Sequence, residues 1–113
     1  MNVVNVQPKL LTVEDLMAMG EDAHIEIIDG KVIEMTPVGA LHHFVGGNIY
    51  RILDAYVIKQ QSGQVFMDGV LFLLHKKGSG IKGARVPDVS FVRKENFPKD
   101  WNIEEPIPGA PNL

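Results

Sequence analysis

Val86-Pro87-Asp88-Val89-Ser90-Phe91-Val92 reads as a β-strand that carries a carboxylate at its start. Alternation puts Val86, Asp88, Ser90 and Val92 on one face and Pro87, Val89 and Phe91 on the other. Proline is tolerated at the first position of a strand, so Pro87 marks where this strand begins. An aspartate among apolar neighbours is costly unless a proton, a partner or a metal ion compensates it. Asp88 is therefore the first candidate for a functional residue.

Working back from that strand, the loop over residues 75–83 holds Gly78, Gly80 and Gly83. Their spacing follows no phosphate-loop pattern and no helix comes after them, so they suggest a flexible connection with no nucleotide role. Residues 65–74 read as a strand with Gly69 as a bulge. Before it, the pattern predicts a long helix over residues 40–61. Leu41, Val45, Ile49, Ile52 and Tyr56 recur at helical spacing and define its expected buried face. His42 lies at the rim of that stripe, and His43 points nearly away from it.

The clearest hairpin covers residues 24–35. Asp29-Gly30 supplies the two positions that accept positive φ, with β-branched residues on both sides. The turn sets Ile28 against Lys31, Ile27 against Val32 and Glu26 against Ile33. Glu26 thus has apolar neighbours on its own face, and its burial calls for a cation nearby. Upstream, Thr12 and Asp15 form a capping-box pattern that opens a short helix ended by Gly20. Residues 1–10 show no periodicity and read as a flexible arm. Beyond residue 96, Pro98, Pro106, Pro108 and Pro111 exclude regular structure over most of the tail.

Composition narrows the class. The 113 residues form one domain at most, 45% hydrophobic and 22% charged, as in ordinary globular proteins. No run is long enough to span a bilayer and no export signal is evident, so a cytoplasmic protein without a membrane partner is expected. The absence of cysteine excludes disulfides and thiolate chemistry. Net charge is −3 but unevenly spread. Residues 1–70 hold four Lys/Arg against nine Asp/Glu, whereas residues 71–99 hold seven against two. The basic 76–99 region could meet the phosphates of DNA.

Four blocks carry a family resemblance: Ile25-Glu26-Ile27-Ile28-Asp29-Gly30, Gly39-Ala40-Leu41-His42-His43, Val86-Pro87-Asp88-Val89-Ser90-Phe91-Val92, and Gly109-Ala110-Pro111-Asn112-Leu113. In this order they resemble successive blocks of the Uma-type restriction endonuclease family, from about Leu11 to Leu113. The resemblance implies an α/β, restriction-endonuclease-like mixed sheet with an N-terminal β-hairpin and one long helix packed on it. It also implies a PD-(D/E)xK-type site, in which carboxylates hold Mg²⁺ (or Mn²⁺) for phosphodiester hydrolysis. Asp88 would be a metal ligand and Glu26 a second one. His42 would line the same cleft, so that Asp88, Glu26 and His42 form the catalytic set.

The departure lies at the end. In the family the last block leads into a central strand with a further glutamate and then a helix that supplies a basic residue. Here Asn112 stands in place of the usual aspartate and the sequence stops at Leu113. The expectation is a single incomplete domain over residues 11–113, with the C-terminal part of the core missing and no activity on its own. The open sheet edge this leaves suggests a homo-oligomer. Two other readings stand beside it. One is a non-catalytic binding or assembly module that retains the fold. The other is a glycoside hydrolase using Glu26 and Asp88 as its acid pair, which lacks an aromatic sugar platform.

Overall fold

In the computed structural model, residues 2–5, 9–20 and 24–113 are described. The 24–35 hairpin forms as expected, with β2 (Ile25–Ile28) and β3 (Lys31–Glu34) joined by Asp29 at φ 50° and Gly30 at φ 79°. Its register pairs Ile28 with Lys31, Ile27 with Val32 and Glu26 with Ile33. The short helix α1 (Val13–Ala18) also starts where the sequence places it. Thr12 N–H donates to Asp15 Oδ2 at 2.9 Å, and Asp15 N–H donates to Thr12 Oγ1 at 3.3 Å.

Of the arm expected over residues 1–10, residues 1 and 6–8 lie outside the described residues, and the rest includes a strand. Asn2–Asn5 form β1, antiparallel to β3. The hairpin's outer strand offers unpaired backbone groups there, and backbone pairing does not depend on side-chain periodicity.

The strand expected over residues 65–74 is two strands. β4 (Gly63–Met67) ends at a turn through Asp68 and Gly69, and β5 (Phe72–Lys77) begins after it. Gly69 takes φ 119°, which breaks the ladder and lets the chain change sheets. The loop expected over residues 75–83 is a hairpin, turning at Gly78 and Ser79 into β6 (Gly80–Arg85). The strand after Pro87 is β7 (Val89–Arg93), so Asp88 sits in the bend just before it. A short strand, β8 (Ile107–Pro108), is the one strand of the tail.

These strands form two sheets. The larger is mixed, in the order β1-β3-β2-β6-β5-β8, with only β5 and β8 parallel. The smaller is the antiparallel pair β4-β7. Phe72 and Leu73 are neighbours on β5 and point to opposite sides, so each feeds a different core. Leu73 joins Leu16, Ile27, Ile81 and Ala84 under α1. Phe72 joins Val92 and Ile107, with Phe66, Phe97 and Trp101 around them.

The long helix α2 (Ala40–Gln60) ends at Gln61 in the left-handed conformation and packs on the small sheet, chiefly against β4. It does so with a different side from the one expected. Val57 is buried, and His42, Gly46, Tyr50 and Leu53 are half-buried. Leu41, Val45, Ile49, Ile52 and Tyr56 are exposed. The facing side is shifted by one residue, or about 100° around the axis. Hydrophobic periodicity selects the most apolar side of a helix. The side that meets the sheet here is set by small residues that permit close approach: a Cβ on Gly46 would just touch Val89.

Candidate functional site

Both passages between the two sheets reach the same end of the small one. β4 hands over to β5 at Asp68, and β6 hands over to β7 at Asp88. The register pairs Met67 with Val89, so Asp68 and Asp88 face each other one step beyond the last paired residues. His42, in the first turn of α2, reaches the same place. Its Nε2 lies 2.9 Å from Asp88 Oδ1. An ionised carboxylate only accepts, so this ring nitrogen carries the proton and donates. The positive end of the α2 dipole adds to the favourable field around the carboxylates.

His42, Asp68 and Asp88 each offer one ligand atom, all within 4.8 Å of one another. The donor set, two carboxylates and one imidazole, is chemically suited to a divalent cation. The site is open: the His42 side chain is 37% exposed and that of Asp88 60%. It lies at the edge of a cleft of about 1370 Å³ whose other walls include Met17, Met35, Val38, Phe66 and Trp101.

Glu26 is placed differently from its expected role as a second ligand. It is buried in the hairpin, and its Oε2 accepts from Val86 N–H at 2.9 Å, two residues before Asp88. Arg85 Nη1 lies 3.8 Å from its other oxygen, the cation its burial calls for. Glu26 thus anchors the passage that delivers Asp88 and stands outside the three-donor cluster.

Replacing Glu26 with leucine would leave Val86 N–H half-buried without a partner and is expected to cost about 2 kcal/mol in urea unfolding. Glutamine, which keeps the acceptor, should cost less than about 1 kcal/mol. Equal losses for the two would mean that the ion pair with Arg85, not the Val86 bond, holds the anchor.

Asp68 escaped the sequence reading. Its signal was the Asp68-Gly69 pair inside an apolar run, a turn signature rather than a bulge. The tail contributes too. Asn112 Oδ1 accepts from Arg93 N–H at 2.9 Å and from Asn96 Nδ2 at 3.1 Å. Phe91 N–H donates to Leu113 O at 3.0 Å, while Phe91 O accepts from Asn112 N–H at 2.8 Å. Asn112 and Leu113 thereby cover part of the outer edge of β7.

Such a mixed sheet with one long helix, and carboxylates meeting at a strand end, is a nuclease-like α/β fold. A crystal structure described as a "putative nuclease belonging to DUF820", from Anabaena variabilis ATCC 29413, superposes with a TM-score of 0.61 at 18% identity. The match covers 88% of this chain and 52% of that one, so the chain spans about half the length of the solved structure. The Uma2 family model, described as "Putative restriction endonuclease", matches residues 10–113. The chain belongs to the Uma2 family. No curated protein matches it. Among the described residues, no helix is long and apolar enough to cross a membrane.

Proposed function

We propose that the chain forms the cation-holding part of a metal-dependent nuclease that hydrolyses DNA phosphodiesters. The observation that carries this reading is the convergence of Asp68, Asp88 and His42 at the end of the β4-β7 pair. A bound divalent cation supplies Lewis acidity toward a phosphoryl oxygen. Asp68 and Asp88 would hold the cation through carboxylate oxygens and offset its charge, and His42 would offer it a ring nitrogen. The exposure of the three groups lets a polymer reach them. Lys76, Lys77, Lys82, Arg93, Lys94 and Lys99 are exposed and can meet backbone phosphates. Arg85 is engaged by Glu26.

Three donors leave much of a cation's coordination shell to water, so its position relative to a scissile phosphate is loosely fixed. The chain alone is therefore expected to nick plasmid no faster than buffer containing the same metal.

The reading is tested by the anisotropy of a labelled duplex titrated with protein, with and without Mn²⁺, each mixture also being run against supercoiled plasmid. Expected are tighter DNA binding with Mn²⁺, loss of that gain in Asp88→Ala, and weakening with salt. Binding that ignores both Mn²⁺ and the Asp88 substitution would favour the non-catalytic module. Plasmid nicking abolished in Asp88→Ala would show that three donors suffice for cleavage.

A further inference from the structure

Two turns of the larger sheet meet at one end of it. Gly30 N–H donates to Lys82 O at 2.9 Å, which sets the β2-β3 turn beside β6. Leu10 packs on Gly30 and on Gly80 so closely that a Cβ on either glycine would overlap it. Lys9, Lys31, Lys76, Lys77 and Lys82 are thereby gathered at this end, and all five are exposed. Asp29 is the one acid in the two turns and the strand ends beside them. The five lysines and Asp29 together carry +4, so the rest of a chain of net charge −3 carries −7. Among the described residues no carboxylate stands within ion-pair distance of any of the five, the ion pairs being His42–Asp88 and Arg85–Glu26.

The register puts three of these lysines on one face. Ile28 pairs with Lys31 on one side and with Gly83 on the other, and residues opposite in a ladder share a face. Between β5 and β6 the partners shift from His75–Gly83 to Lys76–Ile81, so Lys82 is the extra residue of a bulge and stands beside Gly83. Lys77 follows His75 by two residues and returns to the same face. From β3 to β5 is three strand spacings, roughly 14 Å. A DNA duplex carries one charge per about 1.7 Å of its axis, so that width meets about eight phosphates.

We infer that this face, through Lys31, Lys77 and Lys82, grips the backbone of duplex DNA without help from a cation and without reading bases. The inference rests on DNA as the substrate proposed above, but the grip is separate from the donor cluster. Its β5-β6 turn lies a full strand, roughly 20 Å, from the Asp88 bend. Its chemistry differs as well. An ammonium group is a point charge on a flexible stem, which suits a phosphate and lacks the planar fork that reads a guanine edge. Contacts of that kind hold a duplex in place whatever its sequence, and their strength falls with salt because each one releases a condensed counterion.

The test is the anisotropy of a short labelled duplex of arbitrary sequence, titrated with protein in EDTA over a range of salt. The parent is expected to bind, with log K falling linearly against log salt concentration. Lys77→Gln combined with Lys82→Gln should weaken binding at low salt by about tenfold or more and reduce the slope by about 1.8. Adding Lys31→Gln should reduce it by about 0.9 more. Arg51→Gln combined with Lys59→Gln removes the same charge from exposed positions on α2 and should change the slope by less than about 0.5. Circular dichroism matching the parent confirms that each variant is folded. Absence of duplex binding by the parent in EDTA would overturn the inference, as would equal losses in the two pairs. Equal affinity for poly-glutamate would overturn it too and assign the face to an acidic polypeptide. A lysine effect of the expected size, with no gain from Mn²⁺ in the parent, would uphold the grip and sink the cation reading alone.

Discussion

Asp88→Asn is expected to lower Mn²⁺ affinity by about 100-fold in calorimetry. Loss of an outer-shell partner of a metal ligand costs 10–100-fold, and loss of a direct carboxylate ligand costs no less. The substitution is chosen to leave the fold alone, because an asparagine oxygen still accepts the proton that His42 Nε2 donates to Asp88. Asp68→Asn should act to a similar degree, since its carboxylate stands across the ladder end from Asp88. Glu26→Gln should change the affinity less than about threefold, because Glu26 serves the Val86 N–H rather than the cluster. Unchanged affinity in Asp88→Asn would remove Asp88 from the site. Unchanged affinity in Asp68→Asn alone would reduce the centre to the His42–Asp88 pair.

The second large effect is structural. Gly63→Ala is expected to destabilise the protein by about 3 kcal/mol or more, at the upper end of what inserting atoms into a packed region costs. A Cβ on Gly63 would overlap the carbonyl oxygen of Val92 and come within 2.9 Å of Arg93 Cα and of the Phe91 ring. Two of those three neighbours are backbone atoms of β7, the strand paired with Gly63, and cannot swing aside. Relief requires the β4-β7 pair to part at the end remote from Asp68 and Asp88. Chemical unfolding measures the loss, and Mn²⁺ affinity of the folded fraction reads whether the parting reaches the ligands. A cost below about 1 kcal/mol, the level of a tolerated core swap, would show that the pair is looser than its register implies.

Much of the scaffold was legible in the residues. Asp29-Gly30 determines the turn, and the turn determines every pairing between β2 and β3. The capping box at Thr12 and the bounds of α2 follow from equally local chemistry. What failed was information that only tertiary packing holds. The apolar stripe of α2 was assigned inward because burial usually follows hydrophobicity. Yet the helix sits on the small sheet through His42, Gly46, Tyr50, Leu53 and Val57.

The site was legible in the same uneven way. His42 and Asp88 stand out as polar residues at the margins of apolar patterns, and the structure brings them within hydrogen-bond distance. Asp68 sits in an apolar run and gains meaning only because Met67 pairs with Val89, a pairing between segments more than twenty residues apart. Glu26 was singled out for its apolar surroundings. Those surroundings are equally those of a buried anchor, and the sequence cannot separate an anchor from a ligand.

His42, Asp68 and Asp88 ride on one small unit, α2 with β4 and β7, and the six-stranded sheet meets that unit through the Glu26–Val86 bond and through Phe72, packed against Val92 and Phe66. The far end of the larger sheet stands away from these three residues. Its β5-β6 turn at Gly78 and Ser79 lies a full strand, roughly 20 Å, from the Asp88 bend. Lineages can lengthen that turn, graft a recognition loop onto it or vary its lysines without disturbing the spacing of the donors. Such a plan would let the loops of the larger sheet vary while the spacing of His42, Asp68 and Asp88 stays fixed.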